Sequence, residues 1–226
     1  MNRANILFDV TGNAITPRRV RSEIDRFPYR VASFRTIRDS ARLDRNGRIF
    51  IECSARILSS FGMTRSGPFK GVKIDEEGRV HGETILLRCW EEVGQDILEI
   101  RHSIQHASRD RYLLELGKSQ RDGLIERIWK ANKRLLPITM GANTYGLVGA
   151  SKILFAVLPE LVLPVDTAQW RVVFKTVDIG DVIERMATDI ENWERATGQK
   201  LNQMDSRREL TTLPSAYNVM AMAARP

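Results

Sequence analysis

Lys152 and Asp166 are the residues of this chain whose types and spacing best fit chemistry. They lie in the stretch TYGLVGASKILFAVLPELVLPVDTAQWRV, which runs from Thr144 to Val172. An amine can act as a nucleophile, and a fixed carboxylate can stabilise positive charge that develops on a substrate. The sequence leaves two readings open. The two side chains act together, or Lys152 is a surface charge and Asp166 is a helix cap.

Asp166 stands where a helix is expected to begin. Pro159 and Pro164 precede it, so the preceding helix should end and the chain should run extended. The Asp166 carboxylate can accept a hydrogen bond from the backbone N–H of Ala168 or Gln169, which would fix its rotamer and favour its ionised form. Such a carboxylate can steer a base or stabilise developing positive charge. A purely structural cap, contributing about 1 kcal/mol, explains the same pattern.

Gly146 and Gly149 predict a tight turn between two helices, at which the backbone can approach a partner closely. A helix is expected to begin near Ala150, and its first N–H groups would suit a phosphate. Ser151 and Lys152 lie in the same turn, where the lysine would reinforce phosphate binding. We therefore predict that this turn contacts a nucleic-acid backbone, although an ordinary turn between packed helices fits the sequence as well.

The segment SKILFAVLPELVLPVDTAQWRV resembles the helix-hairpin-helix DNA glycosylase superfamily. The match covers about 30 residues, and VDTAQWRV is its close part. The resemblance implies that Asp166 assists cleavage of the glycosidic bond of a flipped-out base. It also implies that the hairpin grips DNA phosphates through backbone amides, and that a lysine forms a Schiff base in the members with lyase activity.

The hairpin differs from the family pattern in spacing. It reads GLVG, and the position of the family's lysine, counted from Gly149, is occupied by Ser151, with Lys152 one residue later. One residue turns a helical side chain by about 100°. Lys152 is therefore read as a nucleophile, a residue that contacts the DNA backbone, or a structural residue. No loop with four cysteines follows, so no iron–sulfur cofactor, and no other cofactor, is expected.

The first third of the chain is strongly basic. The net charge is +7, and residues 1–70 contain 13 Arg and one Lys against 6 Asp and Glu. A one-sided excess of arginine fits a polyanion partner, because the guanidinium binds phosphate through two parallel hydrogen bonds. A solvated basic face without a ligand is the alternative. The arginines predicted to contact nucleic acid are Arg18, Arg19, Arg21, Arg35 and Arg38.

Aromatic residues near the hairpin are candidates for stacking on a flipped base. These are Tyr145 and Trp170, and a place in the core is the alternative for each. No metal site is expected, because His102 and His106 share a helix face but have no evident third ligand. Cys53 and Cys89 are read as buried free thiols, which fits a reducing compartment. With no apolar run long enough to span a membrane, we expect a cytoplasmic protein.

The hydrophobic pattern predicts a mostly α fold, with a helix-hairpin-helix glycosylase-like core and a small β-hairpin in the first third. Helices are expected after Thr16, over 31–43 and almost continuously from Thr84 onward, with one helix ending at Pro137. Residues 48–61 fit a helix or a strand. We expect one compact domain, 1–226, with a basic lobe at 1–83 and a helical core at 84–226.

These features support two leading hypotheses about function. The first is a DNA glycosylase or glycosylase/lyase that acts through Asp166 and Lys152. The second is a nucleic-acid-binding or scaffold module on the same fold without chemistry. A protein-interaction domain is a third.

Overall fold

The computed structural model describes residues 6–28, 36, 38–104, 112–141, 146–210 and 212–225. The described chain is mostly helical, as predicted, with one small antiparallel sheet. The α-helices are α1 (Pro17–Arg26), α2 (Arg48–Ser60), α3 (Thr84–Ser103), α4 (Tyr112–Glu115), α5 (Lys118–Thr139), α6 (Leu147–Val157), α7 (Ile179–Thr197) and α8 (Leu213–Ala223). Short 3₁₀ turns are formed by Met63–Arg65, Gly67–Phe69 and Leu201–Met204. Residues Gln169–Phe174 form a π-helix.

Local capping signals set several helix ends where the sequence predicts them. Thr16 Oγ1 accepts from the backbone N–H of Arg19 at 3.4 Å, and Pro17 is the first residue of α1. Asp178 caps α7 by accepting from Gly180 N at 2.6 Å. Gly198 ends α7 with φ of 66°, a left-handed conformation that glycine adopts without a steric penalty.

Two helix boundaries differ from the expectations, and a third element that the sequence left open is decided. Residues 48–60, which fit a helix or a strand, form a helix, in which Phe50, Ile57 and other apolar residues recur at helical spacing and are buried. The α5 helix continues past Pro137 to Thr139, although the proline removes one backbone hydrogen bond of the helix. The α6 helix begins at Leu147 rather than near Ala150.

The predicted hairpin is confirmed. Strand β1 (Lys73–Ile74) pairs antiparallel with β2 (Val80–His81), with Lys73 opposite His81. Asp75 Oδ1 accepts from the backbone N–H of Glu77 and Arg79, which closes the turn between the strands. Of the helix predicted over 31–43, the structure describes residues 36 and 38–43, and of these residues 36 and 38–40 are helical.

The core places α6 in the interior of the molecule. One cluster of buried apolar side chains contains members from Ile6 to Ala221, so it includes residues from both predicted lobes. The α6 helix packs against α2 on one side and α5 on another, and every residue from Val148 to Val157 is buried. Among the described helices, none combines the length and the apolar character that a bilayer crossing requires.

Candidate functional site

Lys152 is a buried cation in the second turn of α6. Its side chain is 3% exposed, and its Nζ lies 4.7 Å from the centroid of the Phe61 ring, just beyond the end of α2. The Lys152 amine makes no hydrogen bond and no ion pair with any residue that the structure describes. Burial therefore lowers the pKa of Lys152 to about 8, while the charge of Asp166 opposes this shift and the charge of Arg225 adds to it.

Asp166 begins the next helical segment, and a reciprocal pair of hydrogen bonds holds it. Its Oδ1 accepts from the backbone N–H of Gln169 at 2.8 Å, and Gln169 Oε1 accepts from the backbone N–H of Asp166 at 2.8 Å. This is the capping-box arrangement, which satisfies two backbone donors at a helix start. The turn that follows becomes the π-helix Gln169–Phe174, a form that is frequent at functional sites.

Two contacts with α8 complete the surroundings of Asp166. Gln169, which is fully buried, donates from Nε2 to Asn218 Oδ1 at 3.0 Å. Arg225, two residues beyond the end of α8, forms an ion pair with Asp166 Oδ2 at 2.5 Å. Both carboxylate oxygens of Asp166 are thus engaged, one by the Gln169 backbone and the other by the Arg225 guanidinium.

Lys152 and Asp166 lie close enough for their charges to interact, but they form no ion pair within 4.0 Å. The structure brings together Lys152, Asp166, Arg225 and the ring of Phe61. Chemically, this site holds a desolvated amine beside an oriented carboxylate. An amine of lowered pKa is the form of lysine that attacks carbonyl and related electrophilic carbons.

The two hairpin glycines lie against α5. Gly146 has φ of 80°, and a Cβ there would lie 2.8 Å from Thr139 Oγ1. A Cβ on Gly149 would lie 2.8 Å from the Phe69 ring and 2.9 Å from Thr139 Cβ. The same Thr139 hydroxyl bonds to the carbonyl oxygen of Gly146 at 2.8 Å. These glycines permit the close approach of α5 and α6, and phosphate contacts at them would require exposure that this packing does not give.

Ser151 is buried and bonded within the protein. Its Oγ lies 3.1 Å from the carbonyl oxygens of both Val148 and Val165. The second of these bonds joins α6 to the extended segment before Asp166. The predicted contact between Ser151 and a nucleic acid would also require exposure that the structure does not show.

The predicted arginines are divided by the structure. Arg18, Arg19 and Arg21 are exposed on α1 and form no ion pair with the described residues. The α1 helix packs against α8, which leads to Arg225. Arg38 instead pairs with Asp39 at 2.9 Å. Arg35 lies outside the described residues.

Of the two stacking candidates, Trp170 is described and Tyr145 lies outside the described residues. Trp170 is 4% exposed, and its Nε1 has no acceptor among the described residues. Its ring, which projects from the π-helix, belongs to the hydrophobic core. Stacking on a base would therefore require a movement that uncovers the ring.

In the described part of the chain, no group of three His, Cys, Asp or Glu side chains is arranged to hold a metal ion. Cys53 and Cys89 are buried free thiols, as predicted. Burial raises the pKa of each to about 12, which makes both unreactive at neutral pH.

Phe61 and Arg225 were not among the residues predicted from the sequence. The bond from the backbone N–H of Gln169 to Asp166 was predicted, but no role was predicted for the Gln169 side chain. The spacing of Asp166 and Gln169, three residues apart, is a readable capping-box signal. Arg225 is 59 residues from its partner Asp166 and has no local signal. Its contact depends on the path by which α8 returns to the site.

Comparison of the chain with models of protein families finds no match. Comparisons with curated proteins and with solved structures likewise find none. The resemblance to helix-hairpin-helix DNA glycosylases therefore stays an expectation from the residues of the 144–172 segment, and the geometry around Lys152 and Asp166 is the basis on which a function is proposed.

Proposed function

We propose that this protein binds DNA and acts as a DNA glycosylase/lyase, with Lys152 as the nucleophile and Asp166 as the essential carboxylate. The observation that carries the proposal is the state of the Lys152 amine. The amine is buried, lies over the Phe61 ring and has no hydrogen-bond partner among the described residues. It lies near the carboxylate of Asp166, whose orientation is fixed by a hydrogen bond. With a pKa of about 8, an appreciable fraction of the amine is neutral near physiological pH.

The chemistry follows from this pair. The Lys152 nitrogen forms a bond with C1′ of the nucleotide while the glycosidic bond breaks, and the base leaves with one of the two protons of the neutral amine. The sugar ring then opens to a Schiff base, and the second amine proton passes to the sugar oxygen. The carboxylate of Asp166 stabilises the positive charge that develops on the sugar. The flipped base must reach this site out of the stack.

Binding would come from the exposed side of α1. Arg18, Arg19 and Arg21 are exposed there without ion-pair partners among the described residues, so their charges are available to phosphates. Such contacts give affinity that is independent of sequence and falls steeply with salt. The two buried free thiols fit a reducing compartment, and the proposal places the protein in the cytoplasm.

Strand cleavage and borohydride trapping test the proposal. Duplex DNA with an abasic site or a damaged base is incubated with the protein, with and without borohydride. The wild-type protein is expected to nick the DNA and to give a trapped covalent adduct. Lys152→Met should abolish the adduct, and Asp166→Asn should slow its formation. Lys130→Met, which removes an exposed lysine of α5, is the matched control and should behave as wild type.

A second candidate is a nucleic-acid-binding module without chemistry. The 3% exposure of Lys152 favours it, because a substrate reaches that amine only if the site opens. Salt-dependent binding without nicking or adduct, unchanged by Asp166→Asn but weakened by Arg18→Gln/Arg19→Gln/Arg21→Gln, would support this module. A charge-matched control is Lys118→Gln/Lys130→Gln/Lys133→Gln, in exposed residues of α5. No binding at low salt would contradict both candidates.

A further inference from the structure

Arg225 and Lys152 are two cations that act on the same carboxylate. Arg225 Nη1 pairs with Asp166 Oδ2 at 2.5 Å, whereas Lys152 has no ion pair within 4.0 Å among the residues that the structure describes. Asp166 Oδ1 is held by the backbone N–H of Gln169 at 2.8 Å. The carboxylate is therefore fully engaged without the lysine.

We propose that Arg225 is a positioning residue, which holds the carboxylate of Asp166 away from Lys152 and so keeps the Lys152 amine available for covalent reaction. This inference rests on the proposed function, because the amine it protects is the proposed nucleophile. The local sequence around Lys152 and Asp166 gives no signal for this role of Arg225, which lies two residues beyond the end of α8.

The charges around the amine support this role. Among the described residues, Asp166 and Arg225 are the charged groups that act on the proton of Lys152, with opposite effects on its pKa. The neighbour just beyond the end of α2 is the uncharged ring of Phe61. If Arg225 is removed, Asp166 Oδ2 loses its partner and Lys152 becomes the cation that can replace it. An ion pair with Asp166 would keep the lysine protonated, and a protonated amine has no lone pair for attack.

A purely structural role explains Arg225 less well. The residue lies beyond the end of α8 at Ala223, and its side chain is 35% exposed. Apart from the Asp166 pair, its Nε donates to the carbonyl oxygen of Met222 within the same terminal turn. Substitutions at Arg225 should therefore leave the fold intact, which makes the proposal testable.

The test measures the Lys152 amine directly and uses no DNA. The full chain is reductively methylated with ¹³C-formaldehyde, and the pH titration of the methyl signal assigned to Lys152 is followed by NMR. Assignment comes from the loss of that signal in Lys152→Arg. In wild type we expect an apparent pKa near 8. In Arg225→Met we expect an upward shift of about 1 to 3 pH units, because Asp166 is then free to pair with the lysine.

Two further variants separate positioning from simple exposure. Arg225→Lys keeps a cation beside Asp166 and should retain most of the wild-type titration. In Arg225→Met/Asp166→Asn the upward shift should disappear, since no carboxylate is left to pair with Lys152. A shift that persists in this double variant would come from hydration of the amine and would overturn the proposal. An unchanged or lowered pKa in Arg225→Met would overturn it too, as would failure of Lys152 to methylate where exposed Lys130 does.

The two proposals fail in different ways. Absence of nicking and of a trapped adduct in the wild-type protein would overturn the glycosylase/lyase function and leave the titration result standing. If Lys152 in Arg225→Met titrates as in wild type and the yield of trapped adduct is also that of wild type, the role of Arg225 is overturned and the glycosylase/lyase function stands.

Discussion

Gln169 donates from Nε2 to Oδ1 of Asn218 at 3.0 Å, and its Oε1 accepts from the backbone N–H of Asp166 at 2.8 Å. One fully buried amide thus joins the start of the Asp166 segment to α8. The position of the carboxylate depends on this bridge as well as on the local cap. A substitution in α8 that breaks this bridge should therefore alter the position of the Asp166 carboxylate.

We predict that Asn218→Ala lowers the free energy of unfolding by about 1–3 kcal/mol. The change leaves the buried Nε2 of Gln169 without its acceptor, and a buried donor without a partner costs about that much. Urea denaturation followed by circular dichroism measures the effect. Asn192→Ala is the control, because Asn192 accepts only an exposed bond from Arg195, and it should change stability by less than about 0.5 kcal/mol. Equal losses in the two variants would contradict the bridge.

Lys152→Met should stabilise the protein at pH 7 by about 1–3 kcal/mol, because it removes a cation that burial disfavours. The pKa of Lys152 falls from 10.5 to about 8 on folding, so the unfolded chain binds more protons between these two values. The free energy of unfolding of wild type should therefore rise with pH through this window, and the advantage of Lys152→Met should shrink.

Chemical denaturation of both proteins at several pH values from 7 to 10.5 checks this dependence. Lys130→Met, in an exposed lysine, should show a difference from wild type that stays small at every pH. A Lys152→Met protein that is less stable than wild type at pH 7 would show that the amine has a stabilising partner.

Gly149→Ala should lower the free energy of unfolding by about 1–3 kcal/mol, the usual effect of overpacking a core. The new Cβ would lie 2.8 Å from Phe69 Cε2 and 2.9 Å from Thr139 Cβ, so α5 and α6 would have to separate. Gly123→Ala is the matched control, since a Cβ there meets nothing within 4 Å. It lies in the exposed interior of α5 and should stabilise the protein by about 0.5–1 kcal/mol. Thermal unfolding of the pair compares them, and a loss in both variants would contradict the packing role.

Arg101→Met should destabilise the protein by about 3–5 kcal/mol. Arg101 Nη1 pairs with Glu160 Oε1 at 2.9 Å, and the Glu160 side chain is fully buried in the turn after α6. Removing the arginine takes a neighbouring positive charge away from a carboxylate in a water-excluded place. Arg101→Met/Glu160→Gln should recover part of the loss, because the buried charge is then gone too.

The control for this pair is on the surface. Arg134 pairs with Glu92 at 2.8 Å and with Asp96 at 2.6 Å across α3 and α5, with its side chain 40% exposed. Arg134→Met should cost no more than about 1 kcal/mol, since water screens exposed pairs. Urea denaturation of the three variants gives the comparison, and an Arg101→Met loss no larger than that of Arg134→Met would show that the Glu160 charge is compensated otherwise.

Much of the fold could be predicted because its signals are local. Thr16 and Pro17 start α1, Gly198 ends α7, and the sequence between β1 and β2 forms the expected hairpin. Periodicity also separated most helices from loops. It was ambiguous for residues 48–61, where the run IFIEC suits a strand, and burial on a helical face decided the matter.

At the site, the sequence by itself determined that Asp166 begins a helical segment, because a cap and its partner Gln169 lie within one turn. Only the tertiary structure decided the state of Lys152. The ring that lies against its amine belongs to Phe61, just beyond the end of α2, and Arg225, which engages Asp166, lies 59 residues after it, beyond α8. Burial and the interaction between charges depend on distances in space, and the local sequence GLVGASK does not determine those distances.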